Sequence, residues 1–504
     1  MSTQPNTMQP KTAAHTWLKA AFEAFMGNAP DWYKLVILGF LVANPIVLLS
    51  HGPFAVGWLL LFEFIFTLAL ALRCYPLLPG GLLALEALLL GLTTPETFYE
   101  EVVHGLPVIL LVTFMVAAVH FLRDFLFLIL TRIMLGIRSR VTRAFVICAA
   151  IAVLSAFLDA LTVLAVLLTV GLGFFDVYHR VVSEKSHGES NDEHDREELE
   201  EFRAFLRGMM MHAAVGTAIG GVCTLVGEPE NIVIGSVAGW SFMEFFWQVA
   251  PLSIPTLVTG LATCLVLERF RLFGFGADLP AGVRHILEDH DRKQHMNRTP
   301  RDRVRVFAQG LACVLLIVAL GFHIAEVGLI GVGLLVFGAT VNGVTDEHRI
   351  AKSFEAGMPF VALLVVFFAI VGVIHSQHLF DPVISSVLAM DGRTQLVMIY
   401  LSNGLLSAVS DNVFVATIYI DQVHNLLNAG LIPRELFERQ AAAIVMGTGI
   451  PAMATPNGQA AFLFLLTSAL ATHIRLSYGR MVWMALPYVI TTSVAALLSI
   501  LYFF

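Results

Sequence analysis

The chain has 504 residues, of which 57% are hydrophobic and 13% are charged, and its mean hydropathy is +0.78. Soluble domains carry about a quarter of their residues as charged side chains, so this composition excludes an ordinary cytosolic enzyme. The formal net charge of −8 provides no basic excess for binding nucleic acid. We expect a protein whose main partner is the lipid bilayer.

Apolar runs begin at Leu35 and recur to Phe504. A crossing helix needs about 20 apolar residues, so the runs predict an all-α polytopic membrane protein with about 11–13 transmembrane helices. Some runs are too short to cross and indicate half-helices or re-entrant hairpin arms: 81–93, 230–240, 379–390 and 441–453. Residues 1–34 lack the long apolar core of a signal peptide, and we expect a cytoplasmic or interfacial N-terminal segment there.

Two polar segments interrupt the apolar pattern. The acidic cluster at 192–198 indicates a solvated loop or a surface helix. The stretch 268–305 contains nine Lys and Arg residues, and the positive-inside rule places it in the cytoplasm. We predict that it links a first membrane half, 35–267, to a second, 306–504.

The two halves repeat the same patterns in the same order. Residues 154–163 (LSAFLDALTV) and 406–415 (LSAVSDNVFV) match at five of ten positions, including Asp159 and Asp411. Further on, GTAI at 216–219 precedes GEPEN at 227–231, and GTGI at 447–450 precedes TPNG at 455–458. This order predicts two inverted repeats with broken helices.

Asp159 and Asp411 are the strongest candidates for ion binding. Neither has a Lys or Arg within ten residues, and a carboxylate at membrane depth normally faces a cavity or a partner. We predict that the pair binds Na⁺ and H⁺; a purely structural role is the alternative. Residues with the oxygen ligands that hard cations prefer lie beside them: Ser155, Thr162, Ser407, Ser410 and Asn412.

The GEPEN and TPNG elements place helix breakers within apolar surroundings. Their candidate ion or proton ligands are Glu228, Asn231, Thr455 and Asn457, with turn stabilisation an equal alternative for the two asparagines. For Glu63 and Glu86 an interfacial position is favoured over a role in proton movement. Glu230 also stays open as a proton carrier.

Motifs for other function classes are missing from the sequence. It contains no HExxH zinc motif, Walker loop or nucleophile elbow, and its five cysteines lack metal-ligand spacing. The histidines, His212 among them, have no ligand-spaced partner. We therefore expect neither an enzyme nor a self-powered pump, and no cofactor.

Segments along the whole chain resemble the NhaB-type sodium/proton antiporters. They are DWYKL at 31–35, CYPLLPGGLLALEA at 74–87, SAFLDALTV at 155–163, AEVGLIG at 325–331, GVTDEH at 343–348, SDNVFV at 410–415, TPNGQAAFLFLLTSALA at 455–471 and RLSYGRMVWMALPY at 475–488. The resemblance implies electrogenic exchange of cytoplasmic sodium for protons across a bacterial inner membrane, with roles in sodium tolerance and pH homeostasis.

The family is similar in turn to a wider ion-transporter superfamily. That similarity implies scaffold and transport domains, re-entrant hairpins, elevator-type alternating access and a homodimer. A sodium-coupled carboxylate transporter of the same superfamily is the alternative function. The carboxylate carriers have a Ser-Asn-Thr motif at each hairpin tip, whereas this chain has Asp159 and Asp411, which favours ions over an anionic substrate. Glu230 stands where the family pattern has Gln and therefore ranks below Glu228.

Overall fold

The chain is all-helical in the part that the computed structural model describes, namely residues 13–70, 73–158, 160–185, 192–296, 298–322, 324–355, 357–379, 382, 386–387, 389–390, 392–408, 412–456 and 458–504. It is an all-α polytopic membrane protein, as predicted. Its described helices are α1 (Ala13–Ala24), α2 (Asp31–His51), α3 (Pro53–Ala69), α4 (Leu77–Leu89), α5 (Pro95–His104), α6 (Leu106–His120), α7 (Arg123–Gly136), α8 (Arg140–Ser155), α9 (Ala160–Lys185), α10 (Asp192–Gly221), α11 (Pro229–Ala238), α12 (Phe242–Phe270), α13 (Ala281–Met296), α14 (Pro300–Gly321), α15 (Val327–Val341), α16 (Glu347–Phe354), α17 (Met358–Ser376), α18 (Gly392–Ser407), α19 (Asn412–Asn428), α20 (Arg434–Gly449), α21 (Ala460–Thr467), α22 (Ala469–His473) and α23 (Tyr478–Phe503). A 3₁₀ helix, Pro451–Ala454, follows α20.

Polar caps fix where two of the long apolar helices begin. Ser241 and Glu244 form a capping box at the start of α12, and Thr299 and Asp302 form another at the start of α14. In each box the two side chains bond to each other's backbone N–H groups, which have no partner inside the helix. The polar residues that precede these apolar runs therefore define the helix ends.

Several helices suit a bilayer crossing by length and composition. Among the described residues α2, α12, α14 and α23 are long and apolar enough, and the bent pair Pro95–His104 and Ile109–His120 adds a fifth if it is one broken span. Shorter apolar helices lie at Pro53–Leu68, Leu77–Leu89, Val163–His179, Val327–Val341 and Val361–Ser376. A helix of 15 residues is shorter than a full crossing, so the total of 11–13 crossings stays a prediction.

The two polar segments are largely helical. The acidic cluster at 192–198 forms the first turns of the 30-residue helix α10, so the surface-helix form of that prediction is correct and the loop form is wrong. The basic stretch 268–305 contains α13 and the start of α14. Its position as a cytoplasmic linker between two membrane halves stays a prediction.

Helix packing repeats between the two parts of the chain. In the first part α8 packs against α10, and in the second α18 packs against α20. Two further contacts cross from one part to the other, since α11 packs against α19 and α9 packs against α21. Helices α9 and α19, which begin at Ala160 and Asn412, thus each pack against a helix of the other part.

Candidate functional site

Glycines bring the helices of each repeat into backbone contact. A Cβ atom on Gly216 of α10 would lie 2.8 Å from the carbonyl oxygen of Cys148 in α8. A Cβ atom on Gly447 of α20 would lie 2.9 Å from the carbonyl oxygen of Tyr400 in α18. Gly216 and Gly447 are equivalent in the sequence repeat, and so are Cys148 and Tyr400. Small residues at such positions let helices approach closely in membranes.

Two threonine hydroxyls connect the breaks to the loops that follow α10 and α20. Thr224 donates a hydrogen bond to the carbonyl oxygen of Ala156. Thr455 donates one to the carbonyl oxygen of Ala408, at 2.6 Å. Ala156 and Ala408 occupy equivalent positions directly after the ends of α8 and α18, so the two threonines bond to backbone groups that have left the helical pattern. Thr455 was a predicted site residue, whereas its counterpart Thr224 was not.

The carboxylates of the GEPEN element contact the second repeat. Gln459 donates a hydrogen bond from Nε2 to Glu228 Oε1 at 3.2 Å, and Asn412 donates one from Nδ2 to Glu230 Oε1 at 3.0 Å. Both glutamates are 2% exposed. Residues 182 and 231 positions apart in the sequence thus form one polar cluster between α11, α19 and the loop before α21.

Four predicted ligands place oxygen atoms in the interior without a hydrogen-bond partner among the described residues. They are the hydroxyl oxygens of Ser155 and Ser407 and the amide oxygens of Asn231 and Asn412. Asn231 nevertheless has a structural role, because its Nδ2 donates to the carbonyl oxygens of Gly221 and Thr224. Buried oxygens without a donor are costly unless a ligand uses them. Oxygen atoms of this kind are the ligands that a hard cation such as Na⁺ takes.

Other predicted site residues are not tested by the structure. Asp159, Ser410, Asp411 and Asn457 lie outside the described residues. Thr162 lies in α9, but its side chain is also outside the described part. Three of the four partnerless oxygens belong to residues close to Asp159 or Asp411 in the sequence, since Ser155 and Ser407 end α8 and α18, and Asn412 begins α19. The described residues contain no group of three or more His, Cys, Asp and Glu side chains suited to a metal ion.

A cavity of about 540 Å³ lies against α11. Its wall includes Leu225, Ile232 and Ser236, and on the other side Leu110 of α6 and Gly328 of α15. Ile232 directly follows Asn231, so the cavity lies beside the helix that begins at the polar cluster. It provides space for water next to the candidate site.

Sequence reasoning missed two buried polar groups. Glu63 and Glu86, for which an interfacial position was favoured, are buried inside the protein and accept hydrogen bonds from Asn44. His212 is fully buried between Glu268, 2.9 Å from its Nε2, and the Tyr488 hydroxyl, 2.6 Å from its Nδ1. The sequence carried no spacing signal for either group, because each combines side chains from three separate helices.

The comparisons with known proteins show the family to which the chain belongs. Residues 13–504 match the family model described as bacterial Na⁺/H⁺ antiporter B (NhaB). The chain is 56% identical over 479 residues to the Na⁺/H⁺ antiporter NhaB of Pseudomonas putida strain KT2440, covering 94% of this chain and 96% of that protein. It is 54% identical over 490 residues to the Na⁺/H⁺ antiporter NhaB of Klebsiella pneumoniae strain 342, covering 96% of this chain and 94% of that protein. The chain therefore belongs to the NhaB family of bacterial Na⁺/H⁺ antiporters.

Proposed function

We propose that this protein is a secondary, electrogenic Na⁺/H⁺ antiporter that exports cytoplasmic sodium in exchange for external protons. The names of its bacterial relatives support the exchanged ions. We also propose a multi-pass location in the bacterial inner membrane, where such exchange serves sodium tolerance and pH homeostasis, and a homodimeric assembly.

The observation that carries the proposal is the set of partnerless buried oxygens on Ser155, Ser407, Asn231 and Asn412. They come from both repeats, and Ser155, Ser407 and Asn412 lie within four residues of Asp159 or Asp411 in the sequence. Oxygen donors of neutral side chains, together with carboxylates, make a site for a small hard cation. A site for a carboxylate substrate needs donors instead, and the amide oxygens of Asn231 and Asn412 can only accept hydrogen bonds, which disfavours an anion beside them.

Exchange follows if Na⁺ and protons compete for Asp159 and Asp411. Sodium bound from the cytoplasm displaces the protons that neutralise the carboxylates, and protons from outside displace sodium after the site has turned to the other face. Because two carboxylates take up two protons but one Na⁺ satisfies the site, net charge moves in each cycle. Neither state leaves both carboxylates ionised without a counter-ion, which would be costly in the membrane.

The alternating step is proposed to be of the elevator type. The crossed packing of α9 with α21 and of α11 with α19 supports this proposal. Helices α9 and α19 follow Asp159 and Asp411 in the sequence, and α11 and α21 follow the two polar loops. All four helices belong to this interlocked group, so ligands carried on them can move together without being separated. Two positions of this rigid group relative to the rest of the protein provide the two discrete states that alternating access requires.

Purified protein in proteoliposomes tests the proposal. An imposed Na⁺ gradient should drive proton flux, and Asp159→Asn and Asp411→Asn should each reduce that flux by at least about a hundredfold, because each leaves the ions without one charged ligand. Asp31→Asn, at the exposed first residue of α2, is the matched control and should retain wild-type flux. Flux of near wild-type rate in either buried variant would remove that aspartate from the site.

The same vesicles test competition and the alternative substrate. Each competing proton should weaken the apparent Na⁺ affinity by up to about tenfold per pH unit as the pH falls within the titration range, so two competing protons should weaken it by up to about a hundredfold per pH unit. An affinity that is unchanged between about pH 6 and 8.5 would contradict a shared site. Sodium-driven uptake of a radiolabelled C4 dicarboxylate, without proton exchange, would instead establish the carboxylate transporter.

A further inference from the structure

A second pair of buried carboxylates lies on helices that carry none of the proposed sodium ligands. Glu63 of α3 is 2% exposed and Glu86 of α4 is 9% exposed. Asn44 of α2, which is fully buried, lies between them. Its amide nitrogen donates to Glu63 Oε2 at 2.7 Å and to Glu86 Oε2 at 2.8 Å. Both carboxylate oxygens lie within 2.8 Å of the same amide nitrogen, so the two carboxyl groups are close neighbours.

The cluster has too few donors for its charge. Asn44 contributes two N–H donors, whereas the three side chains present five acceptor oxygens. Glu63 Oε1 and Asn44 Oδ1 are buried and have no hydrogen-bond partner among the described residues. Within the described part of the chain, neither glutamate forms an ion pair with Lys, Arg or His. Two ionised carboxylates at this separation repel each other strongly where water is excluded.

The charged and titratable groups of the neighbouring helices lie at the helix ends. Helices α2, α3 and α4 pack against one another, and α17 packs against α3 and α4. Apart from Glu63 and Glu86, these four helices carry as titratable or charged groups Asp31, Tyr33, Lys34, His51 and His375. On α2, Lys34 is ten residues from Asn44 and His51 is seven, which along a helix is about 15 Å and 10 Å. Lys34 is also used elsewhere, since its amine donates to the carbonyl oxygens of Phe22 and Glu23.

We propose that Glu63, Glu86 and Asn44 form a second proton-binding site, in which the two carboxyl groups share one exchangeable proton. One proton removes one of the two negative charges and adds the missing donor. A sodium ion fits less well, because hard cations take six or more oxygen ligands, whereas the three side chains present five, two of which already accept hydrogen bonds from Asn44. The site goes beyond the proposed exchange at Asp159 and Asp411 and does not depend on it.

Chemical labelling of the wild-type protein tests the proposal without any variant. Dicyclohexylcarbodiimide modifies protonated carboxyl groups in apolar surroundings, and mass spectrometry identifies the modified residue. Labelled at neutral pH in Na⁺-free buffer and without an ion gradient, each chain should carry one label on Glu63 or Glu86. The second carboxyl then stays ionised, since its charged neighbour has been removed. Chains labelled on both residues, or on neither, would overturn the proposal.

Isosteric variants test whether the two groups are coupled. In Glu86→Gln the like charge is lost while the side chain still accepts the Asn44 hydrogen bond, so the pH at which Glu63 labelling is half-maximal should fall by about one unit. Glu63→Gln should shift Glu86 labelling in the same direction. Glu326→Gln, an exposed residue before α15, is the control and should shift neither. A Glu63 midpoint that Glu86→Gln leaves unchanged would refute the shared proton.

Because these experiments contain no sodium, their failure is distinguishable from a failure of Na⁺/H⁺ exchange. Labelling that behaves as expected in a protein without exchange would leave this site in place and refute the proposed function alone.

Discussion

At Gly220 the backbones of α10 and α8 touch, and a single added methyl group tests how much the site depends on that contact. A Cβ atom there would lie 2.5 Å from the Ala152 Cα atom and closer still to the Ala152 carbonyl oxygen. Ordinary contacts begin near 3.4 Å. Because the obstructing atoms belong to the backbone, no side-chain rotation can relieve the clash. In Gly220→Ala the two helices must therefore separate by roughly 1 Å.

The expected cost follows from two opposing effects. Overpacking of this kind costs about 1–3 kcal/mol, while replacing glycine by alanine within a helix gains about 0.5–1 kcal/mol. We expect a net loss of about 1–2 kcal/mol. The same displacement weakens the hydrogen bond from Thr224 to Ala156, which contributes about 1 kcal/mol. The apparent affinity for sodium should then fall by about fivefold to tenfold.

Two further alanine substitutions make this a graded series. Gly447→Ala should cost less than Gly220→Ala, because its Cβ atom would approach no heavy atom closer than 2.8 Å. Gly173→Ala, in α9, is the control, since nothing lies within 4 Å of its Cβ position. It should be neutral or stabilising. Melting of the detergent-purified proteins and sodium-driven proton flux in proteoliposomes would measure both effects. If Gly220→Ala melts at the temperature of Gly173→Ala, the close crossing of α8 and α10 is not required and the reasoning is wrong.

Two other predictions concern the polar cluster. Ser155→Ala and Ser407→Ala should each raise the half-saturating sodium concentration by about tenfold, yet leave the melting temperature unchanged, because neither hydroxyl has a described partner to lose. The control is Ser499→Ala, since the Ser499 hydroxyl donates to a backbone carbonyl oxygen at 2.8 Å. Wild-type sodium dependence in both Ser155→Ala and Ser407→Ala would exclude the hydroxyls as ligands. Glu228→Gln should slow exchange by about tenfold, less than either aspartate variant, because the new amide can still accept a hydrogen bond from Gln459. A loss of exchange as complete as that of Asp159→Asn would make Glu228 an essential ion ligand.

The repeat could be predicted from the sequence because its signal is local. The pattern Leu-Ser-Ala-x-x-Asp occurs twice, and so does the glycine pattern that begins at Gly216. Short identical strings of this kind need no knowledge of the fold. They sufficed to select Ser155, Ser407, Asn231 and Asn412, whose buried oxygens the structure leaves without a described partner.

Partners from separate helices could not be predicted in the same way. Gln459 follows the TPNG element directly, but its bond to Glu228 joins residues 231 positions apart. The Asn44 bonds to Glu63 and Glu86 span 19 and 42 positions. An apolar segment with one acidic residue has the same sequence whether that residue meets a headgroup, water or a buried amide. Only the packing of three helices distinguishes these cases, and this is why the sequence did not indicate the buried Asn44 cluster.

The contacts between the two repeats have the form of a dimer interface with two-fold symmetry. Helix α11 of the first repeat meets α19 of the second, and their counterparts α21 and α9 meet in return, as in an interface where the same surfaces of two copies face each other. Glu228 and Gln459 occupy equivalent positions and contact one another, which places them at the symmetry axis. Identical acids there would put two carboxylates face to face in the interior. The amide of Gln459 replaces that repulsion by a hydrogen bond to Glu228, so the contact at the axis requires the two equivalent positions to carry different residues.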